Sequence, residues 1–547
     1  ALIAMNGKGI VDFGQVNNEL LIKDPSSPFG VKTDYAVLYK AFLQYKDKAD
    51  LIVIQSGDSY RLNKYTHMAD DIYLKTKQEI FKRADDFLGK ILESSDENTL
   101  ILLLVPFPSR EDVQAGKRLT PIIAYGSTVS GNILSSSTTK RDGIITNTDI
   151  AAQITAFFGI PRDPTMTGHR FTYDTKADPL DYIKELNTVT VFNYNVRPFV
   201  FKSFIALIVV SLLLVLMFMS HFKKHLVCPQ YLLTLIMITP TLFLLLPLIQ
   251  PWSTTKLLWG FVLFGVLSVA ILSRFARDKL SLFSISLLGS AALIILDTFT
   301  GNRLMKVSVF GYDPIGGARF YGIGNEYMGF LLGATVIGTS ALVDKFSRQE
   351  KAIKILSLFI YVLVLFVLAH PNLGTNVGGT MAALVGFLSC AVLMYKGKIS
   401  LMDLIKVGAC LMLLVLALFI YDGLRPEGAQ SHIGQTAKLI QGTNISALFQ
   451  IFNRKLLMNY KLIRYSNWTL ALIAIWIALG ILFSWPVGIL KQIFIRYKNL
   501  YRGFIAGIIG TAAAFVFNDS GVVAAAMFMI PISIPLILLC IDEMKKN

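Results

Sequence analysis

From Phe199 to the C-terminal end of the chain, apolar runs of similar length follow one another, separated by short charged or glycine-rich breaks. A hydrocarbon core about 30 Å thick is crossed by roughly 20 helical residues. Inside lipid, every backbone N–H and C=O must be satisfied within the protein. Runs of this length are therefore expected as transmembrane helices. Eleven segments qualify: 203–220, 230–249, 257–273, 280–297, 323–343, 354–370, 377–395, 401–420, 468–488, 503–517 and 521–541. Segment 503–517 is the shortest and is rich in Gly and Ala. Residues 1–197 are different, mixing charged and apolar residues as soluble domains do. The expectation is two domains: an α/β domain over 1–197, and an all-α polytopic membrane domain of about eleven helices over 198–547.

Charges in alternate breaks give an orientation. Lys223/Lys224, Arg274/Arg277/Lys279, Lys345/Arg348/Lys351, Lys396/Lys398, Lys491/Arg496/Lys498/Arg502 and Lys545/Lys546 fall on one side. By the positive-inside bias that side is cytoplasmic. This puts the C-terminus in the cytoplasm and the N-terminal domain outside, in a multi-pass protein of the cytoplasmic (plasma) membrane. The first residues, "ALIAMNGKGI", hold neither a basic n-region nor a long apolar stretch. A leader or leading helix ahead of them is expected, because an exported domain needs one. The net charge of +16 is read as topology signal, and nucleic acid is not expected as a partner. Cys228, Cys390, Cys410 and Cys540 all lie in or beside apolar spans, so the N-terminal domain has no disulfide framework and no CxxC pair. No metal site and no cofactor are expected.

The N-terminal domain carries strand-like runs at 51–56 ("LIVIQS"), 100–107 ("LILLLVPF") and 119–125 ("LTPIIAY"). Helical spacing covers 70–95 and 147–160, the latter with Thr148 or Asp149 as N-cap and Gly159 as stop. Strands alternating with helices imply a largely parallel sheet. "LTPIIAYG" followed by "RDGIITNTDIAAQITAFFGI" resembles the late segment of the alkaline phosphatase superfamily, and the resemblance extends over roughly 45–185. That resemblance implies the superfamily's fold. Its chemistry needs a Ser or Thr nucleophile between metals held by Asp and His. Pro106-Phe107-Pro108-Ser109 stand where the family places Asp-His-Gly, Asp58 and His67 have the wrong spacing, and His169 stands alone. The implied domain is a metal-free pseudoenzyme, which could bind an envelope protein partner. A phosphatase-like domain followed by many spans is also similar in layout to the phosphoethanolamine transferases of GPI anchors.

On the outer side, segments 298–322, 370–376 and 421–467 are longer or more polar than simple turns, and 518–521 is the last outer turn. "GIGNE", 322–326, opens a span, and Asn325 and Glu326 sit just inside its outer end. An ionisable residue at that depth points to function. Asp297, His370, Asn372, Asn376, Asn518 and Asp519 gather at the same level; each alone reads as a cap or turn residue. Outer cations are Arg303, Lys306, Arg319, Arg425, Lys438, Arg454, Lys455, Lys461 and Arg464. On a helical wheel, Arg454, Lys461 and Arg464 share one side of 452–464, with Lys455 at the margin. Phe452, Leu456, Tyr460 and Ile463 occupy the other. Such a helix either contacts anionic headgroups or holds a phosphorylated ligand.

Many spans with a long, basic outer loop resemble the bacterial glycan polymerases and ligases that use polyprenyl-phosphate-linked sugars. "HPNLGTN", 370–376, is similar to the Asp-Leu-Gly-Thr segment of SEDS-type polymerases, with Asn372 in place of the Asp. The resulting expectation is a bacterial envelope protein that binds and processes an anionic lipid-linked precursor, a polyprenyl-phosphate or phospho-glycolipid, in contact with membrane lipids. It would be a glycosyl- or phospho-group transferase, with Glu326 or Asp519 as catalytic base. The substrate-binding set would be Arg303, Arg319, Asn325, His370, Asn372, Asn376, Arg454, Lys455, Lys461 and Arg464. A transporter or flippase, with Asp403 and Lys406 as the nearest intramembrane charges, and a non-catalytic scaffold are the alternatives.

Overall fold

A computed structural model describes residues 5, 10–11, 13–65, 68–163, 165–221, 227–424, 446–484 and 488–546. The chain divides into two compact units: Ala1–Leu134 with Thr146–Ala177, and Ser135–Ile145 with Asp178–Asn547. The division falls ahead of the expected 197/198 junction, which lies inside one long helix, Pro179–His221.

In the first unit, β1 (Leu21–Lys23) pairs antiparallel with β2 (Val31–Thr33). Helix α1 (Tyr35–Tyr45) follows, with the Asp34 carboxylate accepting from the N–H groups of Ala36 and Val37. Next come α2 (Asp58–Lys64), α3 (Asp70–Ser94), β3 (Ile101–Leu104), α4 (Arg110–Gln114), β4 (Ile122–Tyr125), β5 (Ile133–Ser136), α5 (Asn147–Phe157) and β6 (Phe171–Asp174). β3 and β4 are antiparallel, from Ile101 opposite Tyr125 to Leu104 opposite Ile122.

The expected parallel sheet is not what forms: the described strands make two-stranded sheets. The physical reason is visible at "LIVIQS". Residues 51–56 form no strand, and Leu51, Val53 and Ile54 are exposed. Strand propensity is realised only against a neighbour, and the other two apolar runs have paired with each other. Helix α5 forms where expected, but its N-cap is Thr146, whose N–H donates to the Asp149 carboxylate at 2.8 Å. Gly159, at φ +67°, follows its end. Asp149 also accepts from the His169 N–H at 2.9 Å. Asp58 is buried, accepting from Thr33 N–H and Oγ1 and paired with Arg61. His67 lies outside the described residues. Among the described residues no group of three His, Cys, Asp or Glu is placed to hold a metal.

The second unit is helical: α6 (Pro179–His221), α7 (Val227–Leu245), α8 (Thr254–Phe275), α9 (Lys279–Phe283), α10 (Gly289–Phe299), α11 (Asn325–Lys345), α12 (Glu350–Ala369), α13 (Val377–Lys396), α14 (Leu401–Gly423), α15 (Ser446–Tyr465), α16 (Trp468–Ser484), α17 (Ile489–Arg496), α18 (Lys498–Phe517) and α19 (Gly521–Met544). A single π-helical turn, Ser284–Leu288, joins α9 to α10 into one span. Among the described residues nine helices are long and apolar enough to cross a membrane. A tenth is the bent pair Asn453–Tyr465 and Trp468–Phe483. The chain is therefore an integral membrane protein, with nine or ten candidate spans against the eleven expected. The remaining segment, 401–420, is helical as α14 but stands outside that count.

Helices α11 and α19 form the centre, buried over nearly their whole length, while α8 and α12, mostly exposed, form the periphery. Helix α19 is apolar on every side from Gly521 to Ile541, the pattern of a helix enclosed by others. Two glycines let α11 approach it. A Cβ on Gly329 would stand 2.3 Å from the Ala524 carbonyl oxygen, and one on Gly333 2.6 Å from that of Phe528. Close backbone approach of this kind supplies the packing that holds helices together in lipid. At the end where α11 finishes, Asp344 accepts from the N–H groups of Asn499 (3.0 Å) and Leu500 (2.8 Å), fixing the start of α18. There too Arg496 pairs with Glu543 at 2.8 Å, and Lys396 pairs with Asp403. The other end carries the 300–324 loop and the turns at 370–376 and 518–520, and is termed the loop end.

Candidate functional site

The 300–324 loop is inserted into the bundle. Asp297, near the end of α10, accepts from Leu304 N–H (2.8 Å) and Met305 N–H (3.0 Å), turning the chain inward. Met305, Val309, Phe310 and Tyr312 are buried. Phe310 stacks on Phe243 at 4.9 Å and meets Phe201, Phe204, Tyr327 and Trp468. Ser308 hydrogen-bonds the Phe243 carbonyl (2.8 Å) and the Tyr327 hydroxyl (2.7 Å).

Irregular backbone buried this way leaves carbonyls without helical partners, and long side chains satisfy them. Arg141 donates to Lys306 O (3.4 Å), Asn193 to Val307 O (2.9 Å), and Arg197 to Gly311 O (2.7 Å) and Tyr312 O (3.0 Å). Burial lowers the Arg141 guanidinium below its ordinary range and raises the Tyr312 phenol.

Residues 313–319 then form a tight turn. Asp313 N–H donates to Arg319 O (3.2 Å), Ala318 N–H to Asp313 O (3.1 Å), and Gly316 N–H to the Asp313 carboxylate (2.9 Å). The turn returns Arg319 toward the start of α11. There Arg319 donates to Ile323 O at 2.8 Å, and Asn376 donates to the same oxygen at 2.9 Å. Ile323 N–H reaches across to Gly374 O at 2.7 Å. Gly322, at φ +77°, is needed here, since a Cβ would lie 2.3 Å from that same Gly374 oxygen. Residues 322–324 and the 370–376 turn are thus locked together by backbone.

Glu326 lies in the first turn of α11, half-buried. The N-cap is Gly324, which supplies no side-chain cap. A point 3.5 Å from Glu326 Oε2 and 3.6 Å from Arg319 Cδ marks where a Gly324 side chain would begin, so both groups flank one spot. Arg197, nearby, lies 3.8 Å from the Asp313 carboxylate. Burial lowers the Arg319 guanidinium, with Tyr312 and Glu326 acting against it. A helix N-terminus with an arginine beside it favours an anion, and a carboxylate there can take a proton from a neighbouring hydroxyl.

The other expected site residues divide. Asn376 caps α13, accepting from Gly379 N–H at 2.8 Å, and sits 3.4 Å from the Asn325 side-chain oxygen. His370 ends α12, accepts from Asn372 N–H at 3.2 Å, and rests against Phe366. Arg303 is exposed on the loop. Asp519 is also exposed, and pairs with Lys455 at 3.4 Å; Lys455 also donates to Phe517 O at 3.0 Å. Arg454, Lys461 and Arg464 are exposed on α15. Among the described residues no hydrogen bond or ion pair joins those three to Glu326 or Arg319. Arg425 and Lys438 lie outside the described residues.

The docked face of α15 differs from the apolar face of the wheel. Lys455, Asn459 and Leu462 face the bundle, and Asn459 donates to Phe515 O (3.1 Å) and Asn518 O (3.0 Å) and accepts from Gly521 N–H (2.8 Å). Tyr460 and Ile463 are exposed. Sequence reasoning missed Arg141 and Arg197, which sit in polar stretches. A basic residue directly before the first apolar run was the available hint for Arg197.

No protein-family model, no curated protein and no solved structure matches the chain. The site therefore rests on its own geometry.

Proposed function

We propose that the loop end faces outward from the cytoplasmic membrane of a bacterial envelope and binds the phosphate of a lipid-linked precursor, a polyprenyl-phosphate or phospho-glycolipid. In this reading Arg319 and the first turn of α11 hold the phosphate, since guanidinium and phosphate pair bidentately. Glu326 is the base that takes the proton of an acceptor hydroxyl, and the hydroxyl oxygen then bonds to the transferred glycosyl or phosphoryl group as the lipid-linked leaving group departs. One observation carries the proposal: the half-buried Glu326 carboxylate and Arg319 flank one spot at the first turn of α11, whose N-cap is a glycine. Asp519 serves this role less well, being exposed and paired with Lys455.

The test is mass spectrometry of lipids retained by the gently purified protein, compared with Arg319→Ala and Glu326→Gln. The expected result is a phosphorylated lipid precursor on the parent protein, lost from Arg319→Ala and kept by Glu326→Gln. Bulk phospholipid alone, equal in all three, overturns the reading.

A further inference from the structure

We infer that α15 lies in the headgroup layer at the loop end and that Arg454, Lys461 and Arg464 form a docking surface for anionic phospholipid. The surface shares no residue with the Glu326–Arg319 site and stands without it.

Four observations carry the inference. First, Asn453–Tyr465 is bent by 79° from the apolar helix Trp468–Phe483 that follows. If the second crosses the bilayer, the first runs nearly in its plane. Second, rotation about its own axis is fixed, because Lys455 and Asn459 are bonded to the turn between α18 and α19, with Asn459 buried. Third, that docking turns outward a stripe at positions i, i+3, i+4, i+7 and i+10: Arg454, Leu457, Met458, Lys461 and Arg464. The cations span about 15 Å of helix. Leu457 and Met458 between them are exposed, 61% and 46%, and with Asn453, Arg454 and Lys461 they line an open groove of about 400 Å³. Fourth, residues 453–465 include no acid, and Asp519, the nearest one bonded to this helix, is paired with Lys455. Cations whose stems alternate with exposed apolar side chains fit an anionic interface, where the heads meet phosphate and the methylenes meet acyl chains.

The consequence extends to the turn. Because α15 is bonded to Phe515, Phe517, Asn518 and Gly521, lipid that holds the helix also steadies the start of α19.

The test uses the full-length protein in nanodiscs of phosphatidylcholine alone or with one third phosphatidylglycerol, and measures hydrogen exchange over 453–465. Each cation near an anionic surface contributes about fivefold, so the three together favour the anionic disc on the order of a hundredfold. The expected result is slower exchange in anionic discs, reversed by high salt. Arg454→Gln/Lys461→Gln/Arg464→Gln loses the difference, and Arg454→Lys/Arg464→Lys keeps it. Equal exchange in both discs overturns the inference. So does loss of the effect in the lysine variant, which would mean bidentate capture of one phosphorylated ligand, such as the precursor, instead of a charged surface.

Discussion

Asp297→Ala tests whether the inserted loop is held as described. Asp297 is 5% exposed, and its two oxygens accept from the N–H groups of Leu304 and Met305 at 2.8 and 3.0 Å. Removing the carboxylate strands both donors, and Met305 is fully buried. At about 1–3 kcal/mol for each stranded buried donor, the loss is about 2–6 kcal/mol. That is a large share of the roughly 5–15 kcal/mol that holds a native fold. Asp297→Asn keeps one acceptor and sets an amide NH2 against the other N–H, so about half of the loss is expected. The assay is equilibrium unfolding in mixed micelles, followed by tryptophan fluorescence. Trp468, 6.4 Å from Phe310 between ring centres, reports whether the loop remains seated. An alanine variant within about 1 kcal/mol of the parent, with unchanged Trp468 emission, would refute the reasoning.

Gly329→Ala sets a methyl 2.3 Å from the Ala524 carbonyl oxygen, so α11 and α19 must separate. A loss of about 1–3 kcal/mol is expected despite alanine's better helix propensity. Gly289→Ala meets nothing within 4 Å and should be neutral or gain up to about 1 kcal/mol, making a matched control in the same unfolding assay. Lys306→Met should raise the unfolding temperature at neutral pH. Burial, then Arg141, depress the Lys306 ammonium, so its charged form is disfavoured in the fold relative to the unfolded chain. The gain should shrink as pH rises toward the ordinary lysine value of 10.5, where the unfolded chain also loses the charge; a gain independent of pH would contradict this.

The helical bundle was legible because lipid imposes a rule on sequence. A segment that must satisfy its own backbone over a fixed thickness shows as an apolar run of fixed length. The N-terminal sheet was not legible in the same way, since "LIVIQS" has strand propensity and no partner, and pairing is a non-local property. Glu326 drew attention because a carboxylate inside an apolar run stands out. Arg141 did not, because a cation in polar sequence gives no sign that it will meet a loop more than a hundred residues away, and Arg197 offered only its place just before the first apolar run. The docked face of α15 was not legible, for another reason. A helical wheel assumes that apolar side chains face protein, whereas at a bilayer surface they can face lipid. Asn459, which fits three backbone groups of the 515–521 turn, chooses the face.

The cations at the loop end thus fall into two groups by what already meets them. Arg141 and Arg197 donate to carbonyls at 306, 311 and 312, and Lys455 to the carbonyl at 517. These donors follow from inserting irregular backbone among helices, where neither water nor a helical partner is available. Arginine suits the task because one guanidinium spans two neighbouring carbonyls, as Arg197 does at Gly311 and Tyr312. A basic excess against the positive-inside bias therefore does not by itself require an anionic ligand. Two sets are left after this accounting. Arg454, Lys461 and Arg464 face outward on a helix without acids. Arg319, fixed through Ile323, flanks one spot with Glu326 at the first turn of α11. The first set is spread along a surface and suits a diffuse charge. The second stands with a carboxylate at one spot, and on the proposed reading that pairing suits it to chemistry where the first set suits adhesion.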